Sequence, residues 1–397
     1  MRILVADKLP DSHVSDLRRR HQVTVWDRGT DMVEAVAGHE VLVVRSTKVK
    51  AETIDAAADL ALVIRAGAGV NTIDWRAAAN RGIYVCNTPG KNAVAVAELT
   101  MGLITAIDRR IPDAVADLRS GRWRKKEYGN AHGLAGRTLG IIGFGDIGTE
   151  VAIRAAAFEM RLVVEERPDR SPRQLDLIEQ LDIAVVDRPD LLAIADIVTL
   201  HVPATTETVG MVSADFLSRL RPGTVLVNTS RGDIVDEDAL LAAIDEKSLW
   251  VGLDVFADEP AGGTAEFDSE LARHPNVYAT HHIGASTEQS QEAIADEVVE
   301  IIYDFARGVV RNCVNLASDP HGTVVISVRH HNRVGVLARV LGILRGAGLN
   351  VQQMDNRILA GQLAATATIH VYGELTDETV AEVRSSKDVI GVSVSSP

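Results

Sequence analysis

Short apolar runs alternate with helix-spaced polar segments along most of the chain. RILVAD, QVTVWD, EVLVVRS and ALVIRAG, all within residues 2–67, are strand-like runs separated by helical patterns. That alternation predicts βαβ units on a parallel sheet. A long helix is expected from about Asn92 to Asp108. RTLGIIGFGDIG then opens a second series, whose later strands are RLVVEE, DIAVVD, DIVTLHVP, GTVLVNTS, WVGLDVF and NVYATHH. The helix after it carries Ile294, Val298, Val299, Ile302 and Phe305 at helical spacing. NLASDPHG (315–322) groups Asp, Pro and Gly and reads as a linker. Beyond it the pattern is strand, helix, strand, strand, helix, strand, a small ferredoxin-like βαββαβ sandwich. The expected fold is α/β: two doubly wound parallel-sheet units in tandem, Rossmann or flavodoxin-like, then the sandwich.

Composition narrows the class. Of the 397 residues, 46% are apolar and 24% charged, enough for buried cores and too charged for a membrane protein. The formal net charge of −14 gives no electrostatic footprint for nucleic acid or anionic lipid. Any bound anion must be met by local Arg, Lys or helix N-termini. MRILVADKLP reaches an aspartate after four apolar residues, so no signal peptide fits. The most apolar stretch, residues 93–107, contains Glu98 and is shorter than the roughly 18 residues needed to span a bilayer. Two cysteines, Cys86 and Cys313, are expected as buried thiols in the cytoplasm, although one disulfide is conceivable.

GIIGFGDIG supplies Gly143, Gly145 and Gly148 in G-x-G-x-x-G spacing. The first glycine makes the tight turn, the second admits a pyrophosphate, and the third packs helix on strand. Such glycines can also be plain turn residues; here a strand precedes them, a helix follows, and the next strand ends in Glu165-Glu166. Glu166 lies 18 residues beyond Gly148, near the ~20 expected for the acid that accepts the ribose hydroxyls of NAD. Two adjacent carboxylates would repel the 2′-phosphate of NADP, although Arg167 could grip it; NAD is the expected cofactor. Three further motifs end later strands: NTSRGDIVDEDAL with Arg231, LDVFADEP with Asp254 and Glu259, and THHIGAST with His282. Singly they read as a surface arginine, a turn acid and a satisfied loop histidine. Together they supply an acid/base near pKa ~6.5, a carboxylate to orient it, and a fork for a substrate carboxylate. No Cys/His/carboxylate spacing supports a metal site.

With VVRSTKV, RAGAGVNTID, CNTPGKNAVAVAELTMGL, GIIGFGDIG, LHVP, NTSRGDIVDEDAL, DVFADEP and HIGAST in order from residue 1 to about 316, the chain resembles the D-isomer-specific 2-hydroxyacid dehydrogenases. The resemblance implies a catalytic triad of Arg231, Glu259 and His282, with His282 exchanging the proton, Glu259 holding it and Arg231 binding the substrate carboxylate. His281 stands where the family usually has proline and is expected to be a neighbour only. The turn Ala68-Gly69-Val70 is expected to offer N–H groups to that carboxylate. Ala68, Val202, Ser230 and Asp254 are expected around the nicotinamide, Asp146 and Ile147 around the phosphates, and Gly284 among the cofactor-binding residues. The implied domains are 1–92 with 285–316 for substrate, 93–284 for NAD, and 317–397.

Arg45 and Arg65 match positions near the substrate phosphate in the family's phosphoglycerate-oxidising members. The implied substrate is therefore 3-phospho-D-glycerate, oxidised in the first step of L-serine biosynthesis. GRWRKKEYG adds a basic run, including Lys125, that either reaches a neighbouring subunit's cleft or is a solvated face. A different D-2-hydroxy acid, or an NAD-sensing binding protein of the same fold, are the alternatives. SVRHHNRVGVLARVLGILRGAGLNVQQM resembles the ACT signature, which implies L-serine as effector, held by His330, Asn332 and Asn350, in a homo-oligomer, a dimer or a tetramer. Val334 departs from it where proline usually stands.

Overall fold

The computed structural model describes residues 1–260, 264–317 and 322–396. Residues 318–321 of the expected linker lie outside the described residues. The chain divides into two compact units, Met1–Asn315 and Leu316–Pro397.

The larger unit holds two parallel sheets. The first contains β1 (Arg2–Val5), β2 (Gln22–Val25), β3 (Val41–Val44), β4 (Leu62–Arg65) and β5 (Tyr84–Asn87), in the order β2-β1-β3-β4-β5. The second contains β6 (Thr138–Ile142), β7 (Arg161–Glu165), β8 (Ala184–Val186), β9 (Ile197–Leu200), β10 (Val225–Asn228), β11 (Trp250–Leu253) and β12 (Val277–Ala279), in the order β12-β11-β10-β9-β6-β7-β8. Central strands such as VLVV of β3 and IVTL of β9 are buried along their whole length, as continuous apolar runs must be when helices cover both faces. The helix Ala93–Arg109 lays Ala97, Met101, Ile104 and Ile107 against Leu139, Ile141 and Val227 of the second sheet. The helix Glu288–Ala306 returns to the first sheet, burying Ile294, Val298 and Ile302 against Ile3, Val43 and Ile64. Truncating such a side chain to alanine costs about 2–5 kcal/mol.

Two elements go beyond the sequence expectation. Strand β5 is only four residues long with polar Asn87 at its end, and its brief run YVC gives little period-2 signal. A further helix, Ile111–Arg119, follows the long one directly. Arg110 separates them with a left-handed φ of 49°, and Pro112 in its first turn suits a helix start. Helical periodicity alone does not reveal that break.

In the smaller unit β13 (Val324–His331), β14 (Asn350–Ile358), β15 (Ala364–Tyr372) and β16 (Val389–Ser395) form an antiparallel sheet in the order β14-β15-β13-β16. The helices Val336–Gly346 and Asp377–Ser385 complete the βαββαβ pattern, with Val328, Val340, Ile369 and Val383 in its core.

Candidate active site

Ligands of doubly wound sheets bind beyond the carboxyl ends of the strands, where strand order reverses. Those points lie between β1 and β3 in one sheet and β6 and β9 in the other. The residues singled out from sequence sit at these ends: Arg45 follows β3, Arg65 ends β4, Gly143 follows β6 and Glu166 follows β7. Val202 lies two residues beyond β9, Ser230 and Arg231 lie beyond β10, and Asp254 follows β11.

The glycine turn divides its tasks by space. Gly143 has φ +92°, and a Cβ there would stand 2.3 Å from the His201 carbonyl oxygen. A Cβ on Gly148 would stand 2.1 Å from the Gly143 oxygen, so helix and turn pack backbone to backbone. Gly145, the N-cap of the helix Asp146–Ala157, faces nothing within 4 Å. That opening, before free N–H groups at a helix N-terminus, suits a pyrophosphate. Val202 lines the same turn, 2.9 Å from the Gly143 Cβ position; Asp146 is exposed and Ile147 half-buried beside it.

Past β7 the two acids differ, contrary to the expected pair of adjacent free carboxylates. Glu165 is engaged by Arg188 through two hydrogen bonds of 3.1 and 3.3 Å, and Arg170 donates to its carbonyl. Arg170 also lies over the Phe144 ring, 5.4 Å from its centroid. Only Glu166 offers an exposed carboxylate, next to exposed Arg167.

The expected acid/base pair is formed by two loops. The Nδ1 of His282 meets the Oε2 of Glu259 at 2.6 Å, and the Phe256 N–H donates to the other oxygen of Glu259 at 3.0 Å. Burial pushes the Glu259 carboxyl up, but the His282 hydrogen bond and charge, the Phe256 N–H and Arg231 outweigh it and hold it below its ordinary 4.5. His282 occupies a left-handed φ of 53°, which orients its ring at a cost for a non-glycine residue. Asp254 fixes the loop from beneath. It is 1% exposed and accepts Thr280 Oγ1 at 2.6 Å and the N–H groups of Ile283 and Gly284 at 2.8 Å each. A Cβ on Gly284 would stand 2.9 Å from that carboxylate. Both Asp254 oxygens are thus occupied by the loop. His281 is exposed and makes no hydrogen bond among the described residues.

Arg231 joins the two halves. Its Nη1 donates to the Ser230 carbonyl at 2.6 Å, and Asn228 holds both residues, donating to the Arg231 carbonyl and accepting from Ser230 N and Oγ. Gly232 lets this turn dock on the Glu259 loop: a Cβ there would stand 2.0 Å from Phe256 C. The Arg231 guanidinium in turn crosses Gly69, where a Cβ would lie 2.4 Å from Nη2. The loop Ala68-Gly69-Val70 is thereby beside Arg231, and Asn87 Nδ2 holds the Ala68 carbonyl at 2.5 Å.

Two more guanidinium groups converge there. Arg65 is brought down to about 10, by burial first and then by the charges of Arg231 and Arg45. Its Nε is buried without a hydrogen-bond partner. Burial also lowers Arg45 and Arg231, offset at Arg45 by Asp7 and at Arg231 by Glu259 and Asp233. Three cations where burial already disfavours charge, with Asp7 as the carboxylate that offsets Arg65 and Arg45, suit an anionic ligand. Sequence reasoning missed two residues that hold Arg45. Asp7 accepts the N–H groups of Arg45, Ser46 and Thr47 at 2.6–2.9 Å. Gln291 accepts Arg45 Nη1 at 2.5 Å and donates to the Ala285 carbonyl at 2.8 Å. The position of Asp7 at the end of β1, at the switch point, was the available signal.

The remaining expected residues stand apart. Lys125 is exposed, while its neighbours Arg122 and Arg124 turn onto Asp117. In the smaller unit His330 is buried, 2% exposed. Its nitrogens meet the His331 carbonyl at 2.8 Å and Asn356 Oδ1 at 3.1 Å. Alternation along β13 puts residue 330 on the buried face, so it presents no open polar atom, a departure from the effector reading. Asn332 donates to the Gln362 carbonyl at 3.0 Å, and Asn350 is exposed at the start of β14. Among the described residues, no group of three His, Cys, Asp or Glu could hold a metal, and no helix is long and apolar enough to cross a membrane.

Comparison with known proteins gives the family. The family model "D-isomer specific 2-hydroxyacid dehydrogenase, NAD binding domain" matches residues 101–284. The D-3-phosphoglycerate dehydrogenase of Archaeoglobus fulgidus is 38% identical over 324 residues, 80% of this chain and 60% of that protein. The chain thus spans less than two thirds of that relative's length. The D-3-phosphoglycerate dehydrogenase of Mycobacterium tuberculosis is 36% identical over 390 residues, 97% of this chain and 69% of that protein. A hydroxypyruvate reductase of Thermotoga maritima is 38% identical over 307 residues, 76% of this chain and 97% of that protein.

Proposed function

The chain belongs to the D-isomer-specific 2-hydroxyacid dehydrogenase family, and from that premise we propose that it oxidises 3-phospho-D-glycerate to 3-phosphohydroxypyruvate with NAD. The observation that carries the substrate is the placing of Arg65 against Gly67 and Arg231 against Gly69 on one loop, with the Arg45 charge felt at Arg65 and the Arg231 charge at Glu259. An acidic protein of net charge −14 concentrates positive charge here, which fits a substrate carrying both a carboxylate and a phosphate.

Gly143, Gly145 and Gly148 and the N-terminus of the helix Asp146–Ala157 fit the pyrophosphate, and Glu166 would accept the ribose hydroxyls. Bound NAD supplies the hydride acceptor. Arg231 and the N–H groups of Gly69 and Val70 would hold the substrate carboxylate, and Arg45 and Arg65 the phosphate. Because Glu259 occupies Nδ1 of His282, Nε2 is the atom that takes the hydroxyl proton on oxidation. The Glu259 carboxylate stabilises the imidazolium so formed.

The similarity to the Thermotoga maritima protein, named a hydroxypyruvate reductase, favours a second reading: a non-phosphorylated 2-hydroxy acid. Initial rates with NAD and a panel of 3-phospho-D-glycerate, D-glycerate and D-lactate test both. The highest kcat/KM is expected for the phosphorylated acid; a higher value for D-glycerate would move the assignment to the second reading.

For the smaller unit the proposal is an ACT-type regulatory domain that binds L-serine through Asn332 and Asn350. Strand β14 is an edge strand exposed along most of its length. Such an edge pairs readily with a second copy, in keeping with a homo-oligomer. Calorimetry with L-serine on the whole chain and on Asn350→Ala tests it. Heat of binding in wild type that disappears in the variant is expected, and no heat at millimolar serine would remove serine as the ligand.

A further inference from the structure

Cys86 and Cys313 are the two cysteines of the chain, 227 positions apart, and the fold sets them opposite each other. Cys86 lies in β5, at the edge of the first sheet. The segment around Cys313 runs antiparallel to it and forms a single bridge at this pair. Asn87 N–H donates to the Asn312 carbonyl at 3.2 Å and Val314 N–H to the Val85 carbonyl at 2.8 Å. These bonds flank the pair instead of joining it, which makes it a non-hydrogen-bonded antiparallel pair. Cα atoms in such pairs stand about 4.5 Å apart with side chains close, inside the roughly 4.4–6.8 Å range that a disulfide spans.

The segment is firmly seated. Asn315 accepts Val85 N–H at 2.9 Å and donates to the Ile83 carbonyl at 2.9 Å. Asn312 donates to Glu297 at 2.9 Å, and Arg311 pairs with Asp304 at 2.6 Å. Cys313 Sγ donates to Asn315 Oδ1 at 3.1 Å, and the neighbouring Cys313 thiol together with burial pushes the Cys86 thiol up. Cys86 is fully buried and Cys313 is half-buried, so Cys313 is the more accessible residue of the two.

We propose that Cys86 and Cys313 form a reversible intrachain disulfide that clamps the Arg311–Asn315 segment to the edge of the first sheet. The oxidant is a small disulfide such as oxidised glutathione. The Cys313 thiolate attacks one of its sulfurs and expels a glutathione thiolate, leaving a mixed disulfide on Cys313. Cys86 then loses its proton and attacks the Cys313 sulfur, expelling the second glutathione thiolate. Two protein thiols are oxidised and one glutathione disulfide is reduced to two thiols. Cross-linking so distant a pair restricts the unfolded chain strongly.

The test treats the native full-length chain with oxidised glutathione, quenches by alkylation and reads intact mass, peptide map and melting temperature. The wild type is expected to lose two hydrogens, to yield a Cys86–Cys313 cross-linked peptide, and to melt several degrees higher in a way that dithiothreitol reverses. Cys86→Ser should stop at a glutathione adduct on Cys313, and Cys313→Ser should stay unmodified while folded. A wild type that keeps both thiols alkylatable, or that ends as a stable glutathione adduct, would overturn the pairing. A cross-link without change in melting would overturn the clamp.

Discussion

Gly69→Ala should disable turnover while leaving the fold intact. Gly69 has no left-handed backbone to protect, so alanine meets no conformational penalty there; what it meets is Arg231 first, and then Asn71 Oδ1 at 3.3 Å. The new Cβ would lie 2.4 Å from Nη2 and 3.7 Å from Cζ of Arg231. Restoring an ordinary contact of about 3.4 Å or more moves the guanidinium by about 1 Å. A misplacement of that size at a reacting centre costs on the order of 10²-fold. Because the clash falls on the far end of a flexible side chain, stability should change by less than about 0.5 kcal/mol, as for a surface substitution. The assay pairs kcat/KM for the preferred hydroxy acid with thermal unfolding. Gly342→Ala serves as a control, since nothing lies within 4 Å of that exposed helical position and alanine should stabilise it by about 0.5–1 kcal/mol. A Gly69→Ala enzyme within threefold of wild-type kcat/KM would refute the working contact between Arg231 and this loop. Loss of activity together with a lowered melting point would mean that the backbone, and not Arg231, had moved.

Four further outcomes are expected. His282→Ala should lower kcat by about 10²–10⁴, the range for a lost general acid/base, and His281→Ala should stay within about tenfold; equal losses in steady-state rates would contradict the division of roles. Gln291→Ala should raise KM for the phosphorylated substrate with little change in kcat, because it frees Arg45 without touching the proton pair; an equal rise for D-glycerate would argue against a phosphate role for Arg45. Glu166→Ala should narrow the preference for NAD over NADP in kcat/KM, since Glu165 is already neutralised by Arg188 and Arg167 would face the 2′-phosphate unopposed; a wild type that prefers NADP would reverse the assignment. Glu259 is held below its ordinary 4.5, so its contribution to stability is full above that value and is lost as pH falls through the lower folded one; melting curves of wild type and Glu259→Gln should therefore converge in acid, and a gap that widens there would contradict the pairing.

Most strands were legible from sequence because parallel, doubly covered strands read as unbroken apolar runs such as EVLVVRS and DIVTLHVP. The antiparallel hairpin of the smaller unit was legible for the opposite reason, its alternation: in β15 every second residue is buried. What escaped were elements whose cause is not local periodicity. Strand β5 draws its place from neighbours on both sides, β4 and the segment at Cys313. The break at Arg110 depends on one left-handed residue that carries no glycine to announce it. Glu165 shows the same limit in electrostatics: its charge was legible, but Arg188, 23 positions away, cancels it only in three dimensions.

The acids near the site sharpen that limit into a distinction between two jobs. Asp7 and Asp254 both stand at strand ends where ligands bind, yet each spends its oxygens on holding loops: Asp7 Oδ2 takes three backbone N–H groups and Oδ1 takes Thr47 Oγ1 and Arg28, and Asp254 takes two N–H groups and Thr280 Oγ1. A carboxylate so occupied holds a loop; it does not face the substrate. Asp7 thereby sets the turn from which Arg45 projects, and Asp254 sets the turn from which His282 projects. Glu259 differs, because one of its oxygens goes to an imidazole and the other to a single backbone N–H. Residue type alone cannot separate these cases, since aspartate at a strand end suits either. The donor set does: a carboxylate whose oxygens are filled mainly by the backbone N–H and hydroxyl groups of one turn is structural support for the side chain that turn presents. By that criterion the proposed reacting groups remain Arg231, Glu259 and His282. Asp7, Asn228 and Asp254 are the residues whose loss should act through them.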